Sequence, residues 1–502
     1  MGVNTRQIAK NTILLYIRML LLLAVSLYTS RVVLDVLGVE DYGIYNLIAG
    51  FVTFLAFISN ALVSAMQRYF NVALGRKDLK YYSEIFSMSI NILCGFSLVI
   101  IIVGESLGVW FVTNYLNIPS DRTEATMWVY HISLLTFIAN TLRTPFHASI
   151  IAHEKMSFYA YVSLVEVFVR LGMVFILLII PTDHLITYAI LYFVVILMID
   201  IIYVQYCHIK FRECHYKIIR NKELFKELIS FSGWTIFGQA SVMIKNQGEA
   251  FFINRFFSVV ANAAMGVAVQ VANALELFVS NFQTAFNPQL IQTYASNELI
   301  EHKKLLFRAS KFSYFLLLIM VIPLIANVDF LLNTWLVEVP EYTNYFIVFI
   351  LISYLFSALS TPFVTSIFAT GKIKSYQSLL SVTFLCGLVL VFIFLYNGAA
   401  PYSVSIVAVI IHIFLLLIRL LLARKYIGIS IRQYFVDVII PITIVTLLSL
   451  TVPYVCFLFC NSMFLRILSI IIDVLFVGVL IILLGLNKTE RNYIINLKNK
   501  IL

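Results

Sequence analysis

Long apolar runs dominate this sequence and limit what it can fold into. Mostly apolar stretches of 18 or more residues recur along the 502-residue chain, and a helix of that length crosses the roughly 30 Å hydrocarbon core of a bilayer. Charged residues make up only 12% of the chain, about half of the roughly 25% found in soluble domains. A soluble enzyme is therefore excluded, and a β-barrel would instead show alternating segments of about 10 residues. The pattern predicts an all-α polytopic membrane protein.

Hydropathy divides the chain into about 14 predicted transmembrane helices. The segments that connect them are too short to form a separate soluble domain. The predicted spans cover residues 11–36, 42–71, 84–112, 125–151, 158–180, 185–206, 228–254, 261–292, 308–332, 343–369, 376–396, 402–423, 438–459 and 464–485.

The distribution of lysine and arginine orients these helices. Of the 35 basic residues, 25 fall on the side of the membrane that holds the N-terminus, 3 fall on the opposite side, and 7 fall within predicted spans. Basic loops remain in the cytoplasm, so both termini are predicted to be cytoplasmic. The net charge of +10 is thus a sign of membrane topology, and we expect no nucleic-acid partner.

Two segments of the chain repeat each other. Residues 142–165 align without gaps on residues 359–382, with ten of 24 positions identical, and a weaker match relates the segment ending at Asn60 to that ending at Asn281. An even number of helices in each copy makes the repeat parallel, which is a common arrangement in transporters. We predict two pseudo-symmetric six-helix lobes plus two C-terminal helices. The predicted domains are an N-lobe (1–206), a basic cytoplasmic linker (207–227), a C-lobe (228–425), and two further helices with a cytoplasmic tail (426–502).

Polar side chains form a row along one face of the second and of the eighth predicted helix. Their spacings of three, four and seven residues place them on one side of an α-helix, where lipid cannot satisfy them. They either bond to neighbouring helices or line a water-filled cavity. We favour a cavity between the lobes, because the rows recur at repeat-related positions. The rows contain Asn46, Thr53, Asn60, Ser64, Gln67 and Asn71 on the second helix, and Gln270, Asn273, Ser280, Thr284 and Asn287 on the eighth.

Seven cationic side chains fall within the predicted spans, where each costs roughly 2.5–3.5 kcal/mol unless it has a partner or water. Three of them have an acidic residue four positions away, in the pairs Arg31–Asp35, Glu166–Arg170 and Lys245–Glu249. Such pairs either neutralise the charges locally or belong to a functional site. Arg68, Arg143 and Arg419 lie near cytoplasmic ends and can extend their charge to the membrane surface.

Arg18 differs from the other cations in the spans. It lies about a third of the way along the first predicted helix, and positions 14 and 22 are both leucine. An unpaired cation at that depth predicts a functional site, and we expect it to bind an anion. Two acids are also unpaired: Glu276 shares the polar side of the eighth helix and is a candidate for coupling to a cation or proton, whereas we expect Asp473 to form a structural pair.

Two segments give the chain a family resemblance. NTILLYIRMLLLLAVSLYTSRVVLDVLGVEDYGIYNL at residues 11–47 and FSGWTIFGQASVMIKNQGEAFFIN at residues 231–254 resemble the polysaccharide-transporter (Wzx-type) flippases. Their superfamily also holds the multidrug and toxin extruders. The resemblance implies a bundle of 12 to 14 helices in the bacterial inner membrane. It implies a substrate built on undecaprenyl pyrophosphate, carrying an O-antigen or capsule repeat unit, that moves from the inner to the outer leaflet by alternating access.

This resemblance suggests roles for the polar residues in the spans. A pyrophosphate needs cations, and guanidinium groups can bind its oxygens with two hydrogen bonds. Arg18, Arg31 and Lys245 are the first candidates, with Arg68 as a further cation. The sugars need dispersed hydrogen-bonding groups, for which we select Asn60, Gln67, Asn273 and Asn281. The candidates for ion coupling are Asp35, Glu249 and Glu276.

Two other functions remain open at this stage. A multidrug extruder of the same superfamily would favour acidic cavities, whereas the charges in these spans are mainly basic. A membrane glycosyltransferase or polymerase would use an acidic pair such as Glu40-Asp41, but it usually has a larger outer loop. The pair more simply caps the second helix, whose N-terminus favours negative charge.

We expect no cofactor and no metal site. His153-Glu154 lacks the second histidine of a zinc-binding HExxH helix. The Cys207-His208 and Cys214-His215 pairs have no standard zinc spacing and are expected to be solvated loop residues. The expected partners are the lipid-linked oligosaccharide, the bilayer and the polysaccharide polymerase machinery, and the protein is expected to be a monomer.

Overall fold

The computed structural model describes residues 5–53, 56–115, 118–257, 259–336, 338–451, 463–487 and 490–491. The chain divides into two compact units, and the division falls between Ile236 and Phe237. Ala9–Ile236 is called the N-terminal unit here, and the unit that contains Phe237–Leu502 is called the C-terminal unit. Ten helices among the described residues are long and apolar enough to cross a membrane.

The N-terminal unit is built from six long helices and the start of a seventh. The first element is interrupted at Gly38, whose φ of 76° is in the region that favours glycine. A π-helical turn, Gly104–Gly108, continues the third helix into Val109–Tyr115. The helices are α1 (Thr5–Thr53), α2 (Ala56–Gly75), α3 (Leu79–Val103), α4 (Thr123–Ala152), α5 (Met156–Leu177) and α6 (His184–Lys210).

The C-terminal unit contains most of α7 and the remaining helices. A short helix, Val328–Trp335, follows α9, and π-helical turns lie within α13 at Phe435–Ile439 and after α14 at Ile481–Gly485. The helices are α7 (Lys222–Phe256), α8 (Val259–Ala295), α9 (Leu299–Ala326), α10 (Thr343–Ala369), α11 (Ile373–Tyr396), α12 (Ser403–Ile427), α13 (Ile431–Ser449) and α14 (Met463–Leu480).

The first predicted span and the start of the second, 42–71, both lie within α1, which ends at Thr53, and the rest of the second and the later predictions correspond in order to α2–α14. The end of the thirteenth prediction falls on residues 452–462, outside the described residues. The ninth prediction, 308–332, starts too late, because α9 already begins at Leu299. The basic segment 303–311 therefore forms the first turns of a helix instead of a connection. Hydropathy missed those turns because their charged side chains lower the local average.

Local sequence signals explain where several helices begin. Asp78 precedes α3 and its carboxylate accepts a hydrogen bond from the backbone N–H of Tyr81 at 2.9 Å. At the start of α6 the Asp183 carboxylate accepts from the backbone N–H groups of Leu185 and Ile186. At the start of α13 the Ser430 hydroxyl accepts from the backbone N–H of Gln433. Short polar side chains at this position satisfy N–H groups that have no partner within the helix.

Helix boundaries repeat between the two halves of the sequence. Helices α4 and α10 end at Ala152 and Ala369, 217 residues apart, and α6 and α12 end at Lys210 and Ile427 with the same separation. The connections repeat as well: Glu154 and Gly371, also 217 residues apart, both have positive φ. The sequence repeat is thus reproduced in the backbone.

An apolar cluster in the N-terminal unit joins α1, α4 and α6. Ile44 and Ile48 of α1 pack with Val129 of α4 and Leu185 of α6. Trp110 and Trp128 are each 53% exposed, as expected for indole rings at a membrane interface. The predicted linker is packed onto this unit: the backbone N–H of Lys217 donates to Ser87 Oγ of α3 at 3.0 Å.

Candidate functional site

Arg18 of α1 lies inside the N-terminal unit against an aromatic ring. Its guanidinium carbon is 4.3 Å from the centre of the Tyr159 ring on α5, which is a cation–π contact. The Nε atom of Arg18 is buried and has no hydrogen-bond partner among the described residues. Within the same part of the chain, no carboxylate pairs with Arg18. This cation therefore has a buried, unused hydrogen-bond donor.

A chain of polar groups continues from Tyr159 through α4 and α6. The imidazole ring of His147 lies 5.0 Å from the Tyr159 ring and 5.9 Å from the Tyr203 ring. One turn earlier on α4, Arg143 Nη1 lies 3.2 Å from Asp200 Oδ1, and Arg143 Nη2 donates to Asn140 Oδ1 at 2.7 Å. Arg143 is thus paired inside the unit, and the prediction that it extends toward the membrane surface is wrong.

The chain of polar groups ends at a pair on α5. Arg170 Nη2 donates to Glu166 Oε1, which confirms the predicted local pairing. The Arg170 guanidinium also lies 4.7 Å from the centre of the Tyr192 ring on α6. This cation is therefore paired with a carboxylate and packed against an aromatic ring.

The N-terminal unit carries an excess of positive charge along this chain of polar groups. Two carboxylates, Asp200 and Glu166, each pair with one arginine, Arg143 and Arg170. Arg18 is left as the third cation. This excess positive charge favours an anionic ligand, because an opposite charge stabilises an unpaired cation in a medium of low dielectric constant.

The C-terminal unit contains a cavity of about 410 Å³ between α7, α8, α10 and α12. A cavity of this size fits a small ligand or several water molecules. Its polar lining consists of Lys245, Asn246, Glu249, Asn262, Asn273, Ser353, Tyr354, Ser405 and His412.

An ion pair lies at one wall of this cavity. Lys245 Nζ is 3.0 Å from Glu249 Oε2 one turn further along α7, as predicted from their spacing. The Glu249 side chain is only 2% exposed, and its second oxygen, Oε1, has no partner among the described residues. A buried carboxylate oxygen without a partner is costly, so this atom is available to a cation, a proton or water.

His412 and Asn273 complete the polar lining. His412 Nδ1 donates to the carbonyl oxygen of Ala408 at 2.8 Å, which leaves Nε2 as an acceptor. Tyr354 donates its hydroxyl to Asn273 Oδ1 at 3.2 Å. Glu276, one turn beyond Asn273 on α8, is exposed. The structure therefore brings Lys245, Glu249 and Asn273 together around one cavity.

The other predicted site residues lie elsewhere. Asn60 is exposed on α2, and Gln67 is partly buried there, where its backbone oxygen accepts from Asn71. Asn281 is partly buried and donates to the Leu277 carbonyl at 2.8 Å. Arg68 is buried and contacts the rings of Tyr69 and Phe231 at 4.3 and 5.1 Å. Asp35 is exposed, whereas the side chain of Arg31 lies outside the described part of α1.

Three expectations about single residues are wrong. Cys207 and Cys214 are fully buried instead of solvated. Asp473 has no partner for either carboxylate oxygen among the described residues. Arg419 is only 8% exposed, because it turns inward and donates to the Tyr376 hydroxyl and the Ser360 hydroxyl.

Sequence reasoning missed Asp200, His147 and His412 as members of the two polar groups. Each lies within an apolar helix, and a signal was available in principle, because a lone polar residue in a span usually faces the bundle interior. In the described residues, no three His, Cys, Asp or Glu side chains are grouped to hold a metal ion.

Ten long apolar helices among the described residues, with polar and charged groups buried within several of the chain's helices, define a multi-pass membrane protein. Residues 8–294 match the family model described as polysaccharide biosynthesis protein. That match covers more than half of the chain, so the protein belongs to the polysaccharide biosynthesis protein family. No curated protein matches the sequence.

Solved structures show the same fold. The chain is similar to a MATE transporter in the straight conformation, with a TM-score of 0.72, 12% identity, and coverage of 84% of this chain and 96% of the other. The MATE transporter ClbM in complex with Rb⁺ gives a TM-score of 0.70 at 16% identity, covering 85% and 96%. The Vibrio cholerae MATE transporter VcmN in the bent form gives 0.71 at 15% identity, covering 86% and 98%. The protein therefore has a MATE-like helical fold.

Proposed function

We propose that the protein is a flippase for an undecaprenyl-pyrophosphate-linked oligosaccharide. It would move an O-antigen or capsule repeat unit from the inner to the outer leaflet of a bacterial inner membrane by alternating access. Membership of the polysaccharide biosynthesis protein family supports this proposal. The excess positive charge inside the N-terminal unit supports an anionic headgroup.

The environment of Arg18 is the observation that most strongly supports the proposal. Its guanidinium is held against Tyr159, and its Nε has no partner among the described residues. A pyrophosphate oxygen would supply that partner and balance the charge. Hydrogen bonds between a guanidinium and phosphate are short and strong, because both groups are ionised.

Asparagine and glutamine side chains would hold the sugars. Asn60 and Asn273 are exposed, and Gln67 and Asn281 are partly exposed. Amide groups suit a glycan because each offers both donors and an acceptor to hydroxyl groups. Arg68 is a less suitable ligand, since aromatic rings already cover it.

Glu249 is the best-supported residue for ion coupling. It engages Lys245 at 3.0 Å while its other oxygen has no partner among the described residues. A proton or cation at Glu249 would weaken its hold on Lys245, which would then be free to bind an anion. Binding at the two residues would thereby be coupled. Asp35 and Glu276 stay as further candidates, and Arg31 as a further cation.

Export of a cationic drug is the second candidate function. The MATE neighbours and the buried Glu249 carboxylate favour it. Arg18 argues against it, because an unpaired arginine repels a cation. Glycosyl transfer has less support, since Asp41 is already bound by Arg122 Nε at 2.8 Å.

We further propose that both termini are cytoplasmic, that the protein works as a monomer without a cofactor, and that the polysaccharide polymerase acts on its product. The positive-inside distribution of 25 against 3 basic residues supports this orientation.

The first test is genetic. Cells that lack the protein should accumulate the lipid-linked repeat unit in the inner leaflet, and the wild-type gene should remove it. Arg18→Ala should fail to restore export, whereas Leu20→Ala, a nearby exposed position on the same helix, should restore it. Full complementation by Arg18→Ala would refute the assignment of Arg18.

A further inference from the structure

A second cavity, of about 330 Å³, lies in the C-terminal unit away from the polar groups described above. It is enclosed by the first turns of α9, the start of α13 and the residues that follow α14. Its lining includes Lys303, Lys304, Arg308 and Lys311 from α9, Gln433 and Asp437 from α13, and Asn487 and Glu490 after α14, together with Ile300, Phe307 and Val438.

The cavity has more positive than negative charge. Four basic and two acidic side chains line it. Glu490 is already engaged, because it accepts from Lys311 Nζ at 2.7 Å and from the backbone N–H of Asn487 at 2.9 Å. Lys304 pairs with Glu301 outside the cavity at 2.9 Å.

Two cations are left for a ligand. Arg308 has only a distant carboxylate, with its Nε 3.8 Å from Glu490 Oε1. Lys303 has no carboxylate partner among the described residues, and its ammonium lies beside Gly428 in the turn between α12 and α13. These two cations of the cavity are the least engaged by carboxylates, since Lys304 and Lys311 form ion pairs of 2.9 and 2.7 Å.

The basic residues of the cavity, Lys303, Lys304, Arg308 and Lys311, are spaced along the first turns of α9, which is a candidate membrane span. Lys303 and Lys311 are eight residues apart, which is about 12 Å along a helix axis. Lys311 at the inner end is only 2% exposed. The lining of the cavity therefore extends from the start of α9 to a buried residue further along the helix.

Apolar surface adjoins the cavity. Phe435 and Val436 of α13 are each 53% exposed, and Leu483 after α14 is 55% exposed. Phe435 and Val436 belong to the π-helical turn Phe435–Ile439, which contributes Asp437 and Val438 to the cavity lining, and Leu483 belongs to the π-helical turn Ile481–Gly485. Such turns often occur at functional sites, and the first of them packs on α9.

We propose that this cavity binds the phosphate of an anionic glycerophospholipid. Lys303 and Arg308 would bind the phosphodiester, Gln433 and Asp437 would accept hydrogen bonds from headgroup hydroxyls, and the acyl chains would lie on the exposed side chains of α13 and α14. Basic pockets between helices on the cytoplasmic side are suited to such headgroups. The two helices outside the six-helix repeat would thus form a lipid site.

The test measures lipid binding by the full-length protein in neutral detergent, by native mass spectrometry and by melting temperature. The probes are dioctanoyl phosphatidylglycerol, dioctanoyl phosphatidylcholine and inorganic phosphate. The variant Lys303→Gln/Arg308→Gln removes the two proposed phosphate-binding cations. The matched control Lys210→Gln/Arg212→Gln removes two exposed charges from another helix end.

Phosphatidylglycerol should bind the wild type at least tenfold more tightly than phosphatidylcholine does. The Lys303/Arg308 variant should lose at least tenfold of that affinity, whereas the control should stay within twofold. Equal binding by the variant and the wild type would overturn the proposal. Inorganic phosphate that binds as tightly as the lipid would also overturn it, by pointing to a soluble anion instead.

Discussion

Tyr159 and Tyr376 occupy equivalent positions in the two repeats, 217 residues apart, and each contacts an arginine from another helix. The contacts differ in kind. Arg18 lies over the face of the Tyr159 ring at 4.3 Å, whereas Arg419 Nη2 donates to the Tyr376 hydroxyl at 2.9 Å. One arginine is left with an unused donor, and the other is held by hydrogen bonds.

This difference predicts that removing the two hydroxyls will change stability by unequal amounts. Tyr376→Phe takes two hydrogen bonds from Arg419 and should lower the free energy of unfolding by about 2 kcal/mol, as for bonds to charged groups. Tyr159→Phe retains the ring face and should change it by less than about 0.5 kcal/mol. Equilibrium denaturation in detergent measures both values, and equal losses would contradict the distinction between the contacts.

Arg18 should be required for transport and not for folding. Arg18→Ala should reduce the initial rate of flipping at least tenfold and leave the melting temperature within a few degrees, because no hydrogen bond of the described residues is lost. Arg18→Lys should restore part of the rate, since it keeps the charge but not the planar donor group. An unfolded Arg18→Ala protein would show that the residue is structural.

Variants of the Lys245–Glu249 pair should distinguish its effect on stability from its effect on transport. Lys245→Met alone leaves a buried carboxylate without its partner and should cost about 3–5 kcal/mol. Lys245→Met/Glu249→Leu should recover most of that stability, because it replaces the pair with apolar groups. The double variant should still lack ion-dependent transport in proteoliposomes. Wild-type transport by the stable double variant would exclude Glu249 from coupling.

A cluster at one end of the N-terminal unit should respond to pH. Arg122 Nη1 donates to Asp183 Oδ2 at 2.7 Å, and Arg122 also binds Asp41. Burial of the carboxyl raises the pKa of Asp183, but the backbone N–H of Ile186 and the Arg122 guanidinium outweigh that effect and hold this pKa below its usual range. The ionised form is thus stabilised by folding.

The stabilisation from Asp183 should be present at neutral pH and lost as the pH falls through its lowered folded-state pKa. The gap in melting temperature between the wild type and Asp183→Asn should therefore be constant between about pH 5 and 8 and shrink below about pH 4. Asparagine can still cap the helix with its side-chain oxygen. The difference in melting temperature therefore measures the effect of the carboxylate charge. Asp121→Asn, at an exposed neighbouring position, should show no such gap.

Most of the helices were predictable from sequence because ten of those described are long enough and apolar enough to be recognised alone. The pairing of Lys245 with Glu249 was predictable for the same reason, since both lie on one helix. The partner of Arg143 was not, because Asp200 comes from another helix. Hydropathy is a local average, and it carries no information on which helix faces meet.

The basic cavity was missed on similar grounds. Its residues come from α9, α13 and the end of α14, and α9 is more than 100 residues from the other two in the sequence. The first turns of α9 resembled a loop because they are charged, although they belong to one continuous helix, Leu299–Ala326. Distant segments of that kind become neighbours only when the helices pack.

The most direct test of the central claim is transport by the purified protein in proteoliposomes that contain a fluorescent undecaprenyl-pyrophosphate-linked oligosaccharide or, separately, a fluorescent cationic drug. We predict that the wild type translocates the lipid-linked sugar, that Arg18→Ala does not, and that neither protein moves the drug. Movement of the cationic drug, together with no translocation of the lipid-linked sugar by the wild type, would contradict the account.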